Sequence, residues 1–80
     1  MATENELERN VRYVTNILTK GPNEIGYSLF VLTLKVRVAH DKHNLLGLKD
    51  AKDAINEAER RELIRKSIGY GGEDTYILNK

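Results

Sequence analysis

The first quarter of the chain carries a helical pattern of apolar positions. Aliphatic side chains recur there every three or four residues, at Leu7, Val11, Val14 and Leu18. This spacing places them on one face of a helix. Thr3 and Glu6 are spaced as in an N-terminal capping box, and Gly21 before Pro22 is typical of a helix that ends at a left-handed glycine. The pattern therefore predicts an N-terminal helix.

Residues 28–39 alternate between two kinds of position, which is typical of a strand. One face of such a strand would carry Phe30, Leu32, Leu34, Val36 and Val38. The other face would carry Val31, Thr33, Lys35 and Arg37. Because most of these residue types favour strands, we predict a central strand here.

A helix that begins at Pro22 is the alternative for the same region. One apolar stripe of this helix would contain Ile25, Leu29, Leu32 and Val36. An opposite stripe would contain Tyr27, Phe30, Val31, Leu34 and Val38. Such a helix would be packed on two sides.

From Leu48 onward the pattern is helical again, but its apolar stripe shifts. The first part places its apolar side chains on one face, at Leu48, Ala51, Ile55 and Ala58. Leu63, Ile64 and Ile68 fall outside this stripe. We therefore predict a helix that bends near Asn56 or is split in two.

The last third of the chain adds ion pairs, glycines and a short apolar run. Charged residues are spaced for i,i+4 pairs on a helix, with Glu57 facing Arg61 and Glu62 facing Lys66. The glycines of residues 69–72 are predicted to end the helix. Thr75 to Leu78 is typical of a short closing strand.

Together these elements predict a small single α+β domain over residues 1–80. It contains an N-terminal helix, a central strand, a bent or split helix and a short C-terminal strand. An all-α helical bundle is the alternative. Because two strands make a poor sheet alone, we predict a homodimer through strand edges or helix faces, with roughly 800 Å² buried per partner.

Composition limits the compartment and the partner. The 80 residues include no cysteine, which excludes disulfides and thiolate metal sites and is typical of an intracellular protein. The acidic start is unlike a secretory signal, and no apolar run reaches the roughly 20 residues of a membrane span. We therefore predict a cytoplasmic protein. A net charge of +1 argues against a strong nucleic-acid binder.

Candidate chemistry is sparse. His40 and His43, with an aspartate between them, have a spacing that metal sites use, but no third-ligand pattern accompanies them, so we interpret them as a polar turn. The glycine-rich residues 69–74 lack the Lys and Ser or Thr of a phosphate loop. Ser28 and Ser67 have no base in a recognisable pattern. We therefore predict a protein that is not an enzyme, with no catalytic, cofactor-binding or metal-binding residues.

The run LGLKDAK at 46–52 resembles the Gly-Leu-Lys-Glu-Ala-Lys helix start in the C-terminal domain of the bacterial ribosomal stalk protein. A later Glu-Ala-Glu, a leucine, glycines and a short strand are similar to the last helix and strand of that domain. The resemblance covers residues 45–78 and implies the α+β fold of that family. It also implies that Lys49 and Lys52 contact a protein partner. The chain lacks the family's segment between its two helices, and its N-terminal helix has no counterpart there.

The passage GPNEIGYSLFVLTLKVRVAHDKHNLLGLKDAK at 21–52 resembles the cytoplasmic lysis-inhibition accessory protein, an antiholin, of T-even-type phages. The resemblance extends to chain length and to the lack of a signal. It implies a non-enzymatic inhibitor that binds the cytoplasmic segment of a membrane-embedded holin and delays host lysis. The junction from His40 to His43 and the charged helix would then be contact or stabilising positions.

We therefore predict a regulatory protein-binding module, with a phage antiholin as the first hypothesis. A ribosomal-stalk-like factor-binding domain and a small nucleic-acid-binding regulator are the alternatives. The candidate partner-binding residues carry a cationic side chain or an imidazole: Lys35, Arg37, His40, His43, Lys49 and Lys52.

Overall fold

The computed structural model describes residues 4–21, 26–69 and 71–79, which form three helices and a three-stranded antiparallel sheet. The elements follow in the order α1 Glu4–Lys20, β1 Tyr27–Ser28, α2 Leu29–His40, α3 Leu48–Arg60, β2 Ile64–Ile68 and β3 Asp74–Leu78. The predicted α+β class is confirmed. The alternative all-α bundle is wrong, because the C-terminal region pairs into a sheet.

Helix α1 confirms the predicted N-terminal helix. Its apolar stripe is buried at Val11, Val14 and Leu18. The proposed capping residue Thr3 lies outside the described residues. The expected left-handed conformation at Gly21 is wrong, since the φ angle of Gly21 is not positive. Gly21 instead makes room for a ring, because a Cβ atom there would lie 2.6 Å from Cε2 of Tyr27.

The predicted central strand over residues 28–39 is wrong, because helix α2 occupies Leu29–His40. Ser28 begins the helix as its N-cap, and its Oγ accepts a hydrogen bond from the Val31 amide. Leu32 and Val36, four residues apart, are fully buried on the inner side of α2. Packing of this inner side overrides the strand preference of the β-branched residues.

The predicted bend or split of the second helical region is also wrong, because α3 ends at Arg60 and strand β2 follows. Glu62 has a φ angle of 62° and takes the left-handed position that usually belongs to glycine. The Leu63 amide donates to the Ala58 carbonyl and the Glu62 amide to the Glu59 carbonyl, which is a Schellman cap. This cap turns the chain from helix to strand.

Strand β3 lies in the middle of the sheet, in the order β1-β3-β2. Tyr76 pairs with Tyr27 on one side and with Lys66 on the other. The predicted closing strand is therefore confirmed. The predicted helix end at residues 69–72 is wrong, because the Gly69 amide donates to the Glu73 carbonyl and closes the β2–β3 hairpin. The predicted helical pairing of Glu62 with Lys66 is lost, because Lys66 lies in β2.

The core lies where α1, α2 and α3 meet one face of the sheet. Alanines line the inner side of α3 at Ala51, Ala54 and Ala58, together with Ile55. Their small side chains let α1 and α2 approach α3 closely. Strands contribute Ile64 and Tyr76 to the same cluster. Across the described ranges, no helix has both the length and the apolar content that crossing a membrane requires.

Candidate protein-binding surface

Helix α2 exposes apolar side chains on its outer side. Phe30 is 80% exposed and Leu34 is 46% exposed, and Val38 follows one turn later with 43% of its surface exposed. These three residues are four positions apart and form one stripe, which we call the α2 face. The α2 face lies opposite Leu32 and Val36, so that the helix is apolar on both sides.

A groove of about 420 Å³ lies between the α2 face and the start of α3. We call it the α3-side groove. Its apolar lining consists of Leu29, Phe30, Leu34 and Leu48, and its polar lining of Thr33, Arg37 and Lys52. The Thr33 hydroxyl donates to the Leu29 carbonyl, so it is satisfied within the helix. The groove therefore presents apolar walls with two cations at its rim.

Arg37 is held at this groove by the loop between α2 and α3. Its Nε donates to the Leu46 carbonyl at 2.7 Å, and the Leu46 amide donates back to the Arg37 carbonyl at 3.2 Å. These two bonds fix the base of the guanidinium. The structure gives its terminal N–H groups no acceptor among the residues it describes, so they are available to a carboxylate.

A second groove lies on the other side of α2, against the end of α1. We call it the α1-side groove. It is lined by Ile17, Lys20, Tyr27, Leu34, Lys35, Val38 and Ala39. The Lys35 ammonium lies 5.0 Å from the centre of the Tyr27 ring, a cation–π contact. Leu34 lines both grooves and is therefore the central residue of the surface.

The two grooves carry only one sign of charge. Four cationic side chains line them, namely Lys20, Lys35, Arg37 and Lys52, and no lining residue is acidic. In the salt bridges of the described residues, carboxylates pair instead with three other cations, Lys49, Arg60 and Arg61. None of the four groove cations takes part in these salt bridges, so the apolar surface around α2 is bordered by positive charge alone.

Three of the six predicted partner-binding residues line this surface. Arg37 and Lys52 share the α3-side groove, and Lys35 lines the α1-side groove. Lys49 lies outside both grooves and forms an ion pair of 3.9 Å with Asp53.

The histidine junction forms a polar turn, as interpreted from the sequence. The Asp41 carboxylate accepts a hydrogen bond of 2.9 Å from the His43 amide, and the Asn44 amide donates to the Asp41 carbonyl. The His40 ring packs edge-on against Tyr13 with 6.1 Å between the ring centres. Within the described ranges, no three His, Asp or Glu side chains are close enough to share a metal ion.

The strongest electrostatic cluster lies away from the two grooves and joins α1 to α3. The Glu57 carboxylate accepts hydrogen bonds from Arg60 at 2.8 Å and from Arg61 at 2.6 Å, and the Arg61 guanidinium also pairs with Glu8. Hydrogen bonds from Arg60 and Arg61 lower the pKa of Glu57 to about 2. The hydrogen bond from Arg61 also lowers the pKa of Glu8. The predicted pair of Glu57 with Arg61 is confirmed, and the pair of Arg61 with Glu8 links the end of α3 to α1.

Sequence reasoning missed the apolar half of the surface. The signal was present in the alternative helix, whose opposite stripe contains Phe30, Leu34 and Val38. A helix with apolar residues on both sides either is packed on two sides or exposes one of them. In the structure the second side is exposed.

Comparison with known proteins found no similar protein. No family model, no curated protein sequence and no solved structure matches the chain. The two family resemblances therefore remain predictions, and the function has to be argued from the surface around α2.

Proposed function

We propose that this chain is a small non-enzymatic regulator that binds a segment of another protein on the α2 face. The observation that carries this proposal is the exposed stripe of Phe30, Leu34 and Val38 between two grooves. Contiguous apolar surface with a polar rim is typical of interaction sites. An exposed phenylalanine beside a groove also has the chemistry of a binding hot spot.

The resemblance of residues 21–52 to T-even antiholins supplies the partner to test first. It names the cytoplasmic segment of a holin, whose capture would delay host lysis, and it implies a cytoplasmic location in the infected host. The same passage contains all of α2 and the Leu48 end of α3. The resemblance and the exposed stripe thus point to the same part of the chain.

The first experiment measures binding of the purified protein to a peptide of a T-even holin's cytoplasmic segment. We expect Phe30→Ser to weaken binding by about 30-fold, which corresponds to the loss of about 2 kcal/mol at an aromatic hot spot. Ile68→Ser is the matched control, because Ile68 is 71% exposed and lies on β2. The control should bind within about twofold of the unmodified chain.

Two results would overturn the proposal. One is equal binding by Phe30→Ser and Ile68→Ser, which would remove the α2 face from the interaction. The other is a lack of binding to the holin segment, which would reject the antiholin hypothesis. Circular dichroism of both variants checks that each is folded, and both substitutions are at exposed positions.

The homodimer predicted from the sequence stays a prediction. The free edge of β2 offers one route to it, but Arg65 and Lys66 lie on this edge, and charged edge strands resist pairing with a second copy. Sedimentation of the purified chain over a range of concentrations measures whether it self-associates.

A stalk-like factor-binding domain is the second candidate. Its carried-over contact residues, Lys49 and Lys52, are both exposed on the first turns of α3, where a partner can reach them. Binding to a translation GTPase, lost on Lys49→Glu with Lys52→Glu, would support this candidate. Unchanged binding would reject it.

A further inference from the structure

We propose that the segment bound by the α2 face is an acidic amphipathic helix. Its apolar stripe would lie over Phe30 and Leu34, and its carboxylates would reach Arg37 and Lys52 on one flank and Lys35 on the other. This inference rests on the proposed function and adds the chemistry of the partner. Three features of the described residues carry it: the shape of the surface, its single sign of charge and the anchoring of Arg37.

The shape of the surface suits a helix. Helix α2 has 12 residues and is therefore about 18 Å long at 1.5 Å per residue. A partner helix of three or four turns matches this length and presents apolar residues at i, i+3, i+4 and i+7 to a groove. The α3-side groove supplies apolar walls from two helices, through Phe30 and Leu34 on α2 and Leu48 on α3.

The charge of the surface selects an acidic partner. The cations of the grooves flank the apolar stripe on both sides, with Lys52 and Arg37 towards α3 and Lys35 towards α1. A partner helix with carboxylates on both edges of its apolar stripe would neutralise both flanks. Charge complementarity of this kind speeds association and excludes partners of the wrong sign.

Arg37 gives the surface a directional contact. Because its Nε is bound to the Leu46 carbonyl, the guanidinium is already oriented before a partner arrives. A carboxylate can then accept two parallel hydrogen bonds from the terminal nitrogens, which is the strong geometry for an arginine. Less side-chain freedom is lost on binding than at a free arginine.

A second copy of the chain fits the α2 face less well than an acidic helix. The same cations would meet across such an interface, and like charges in contact are unfavourable. An anionic membrane is the other surface that attracts apolar and basic side chains. A flat bilayer leaves the α3-side groove unfilled, whereas a helix fills it.

The test uses two synthetic amphipathic peptides of about 14 residues that differ only in charge. One carries Glu on both edges of its apolar stripe, and the other carries Lys at the same positions. Fluorescence anisotropy measures the affinity of the full chain for each peptide at low and high salt. We expect at least tenfold tighter binding of the Glu peptide at low salt, with a smaller ratio at high salt because the charges are screened.

Charge-reversed variants locate the effect. Lys35→Glu with Lys52→Glu should invert the preference, so that the Lys peptide binds more tightly. Arg65→Glu with Lys66→Glu is the matched control, because it changes the net charge equally but acts on β2. The control should keep the preference for the Glu peptide.

The inference is overturned if both charge-reversed variants change the preference equally, because only net charge would then matter. It is also overturned if vesicles of anionic lipid bind more tightly than the Glu peptide and lose binding on Phe30→Ser. Failure of this inference can be distinguished from failure of the proposed function. If Phe30→Ser abolishes binding of the holin segment while Lys35→Glu with Lys52→Glu leaves it unchanged, the α2 face remains a binding site and only its preference for acids is wrong.

Discussion

Two leucines on α2 provide a test of whether residues 29–40 are helical. Leu32 is fully buried, whereas Leu34 is 46% exposed on the outer side of the same helix. In a strand these residues, two positions apart, would share one face and contribute similarly to stability. In a helix two positions correspond to about 200°, so that the two side chains point in nearly opposite directions.

The size of each effect follows from the burial of each side chain. Leu32→Ala removes a fully buried side chain and leaves a cavity among α1, α2 and α3, which costs about 3 kcal/mol. A chain of this size loses about 4–8 °C of melting temperature per kcal/mol, so the midpoint should fall by at least 12 °C or so. Leu34→Ala removes a half-exposed side chain and should cost less than about 1 kcal/mol.

Urea unfolding followed by circular dichroism measures both variants beside the unmodified chain. Free energies of unfolding for Leu32→Ala and Leu34→Ala that agree within about 0.5 kcal/mol would refute the helical arrangement. The pair also separates folding from binding. Leu34→Ala should weaken capture of the partner although the domain stays folded.

Three further predictions concern the turns and the ion pairs. Gly26→Ala should lower the free energy of unfolding by about 2–4 kcal/mol, because φ at Gly26 is +72° and the new Cβ would lie 2.1 Å from the Tyr76 carbonyl oxygen. Gly72→Ala is the comparison, because φ is +82° there but the space around it is open, and it should cost about 1 kcal/mol or less. A urea unfolding titration measures both. Glu62→Val should lower the melting temperature, whereas Glu62→Gly should leave it unchanged or raise it, because the backbone there is left-handed. The pKa of Glu57 is lowered from an ordinary 4.5 to about 2, so its ionised form stabilises the fold fully above about pH 4.5 and this contribution is lost as pH falls towards 2. Urea titrations at several pH values should therefore show a smaller loss of stability over this range in Glu57→Gln than in the unmodified chain. The same pH profile in both proteins would contradict the hydrogen bonds to Glu57.

The elements that the sequence predicted correctly have simple patterns of apolar residues, either on one face of a helix or in one short run. Helix α1 buries Val11, Val14 and Leu18 on one face, and these three residues repeat at helical spacing, so its period is unambiguous. Strand β3 is a short apolar run after glycines. Both patterns depend on burial alone, which local sequence reports well.

The elements that were predicted wrongly depend on surroundings that a local pattern does not contain. Residues 29–40 alternate because α2 is apolar on its buried and on its exposed side, and such a helix mimics a strand. The end of α3 was missed because Glu62 occupies the left-handed position, where a sequence reader expects glycine. Strand β2 was therefore read as more helix.

The candidate surface was predicted in part for a similar reason. Cations at surface positions are easy to nominate, and Lys35, Arg37 and Lys52 do line the grooves. Phe30 and Leu34 were placed on the same strand face as Leu32 and Val36, and large apolar residues are usually buried, so nothing marked them as surface residues. Only the packing of α2 reveals that they are exposed.

The two-residue strand β1 has a consequence for the order in which the chain folds. Strands β2 and β3 are joined by a short hairpin, whereas Tyr27 pairs with Tyr76 across about 50 residues of chain. Closing that long loop is entropically costly and is rewarded by only two residue pairs, so we expect β1 to dock last and to open first. Within the sheet, amide hydrogen exchange should therefore be fastest in β1. Ser28 of β1 is also the N-cap of α2. Helix α2 is therefore attached to the part of the sheet that opens most readily, and a partner bound to α2 as proposed should slow that exchange.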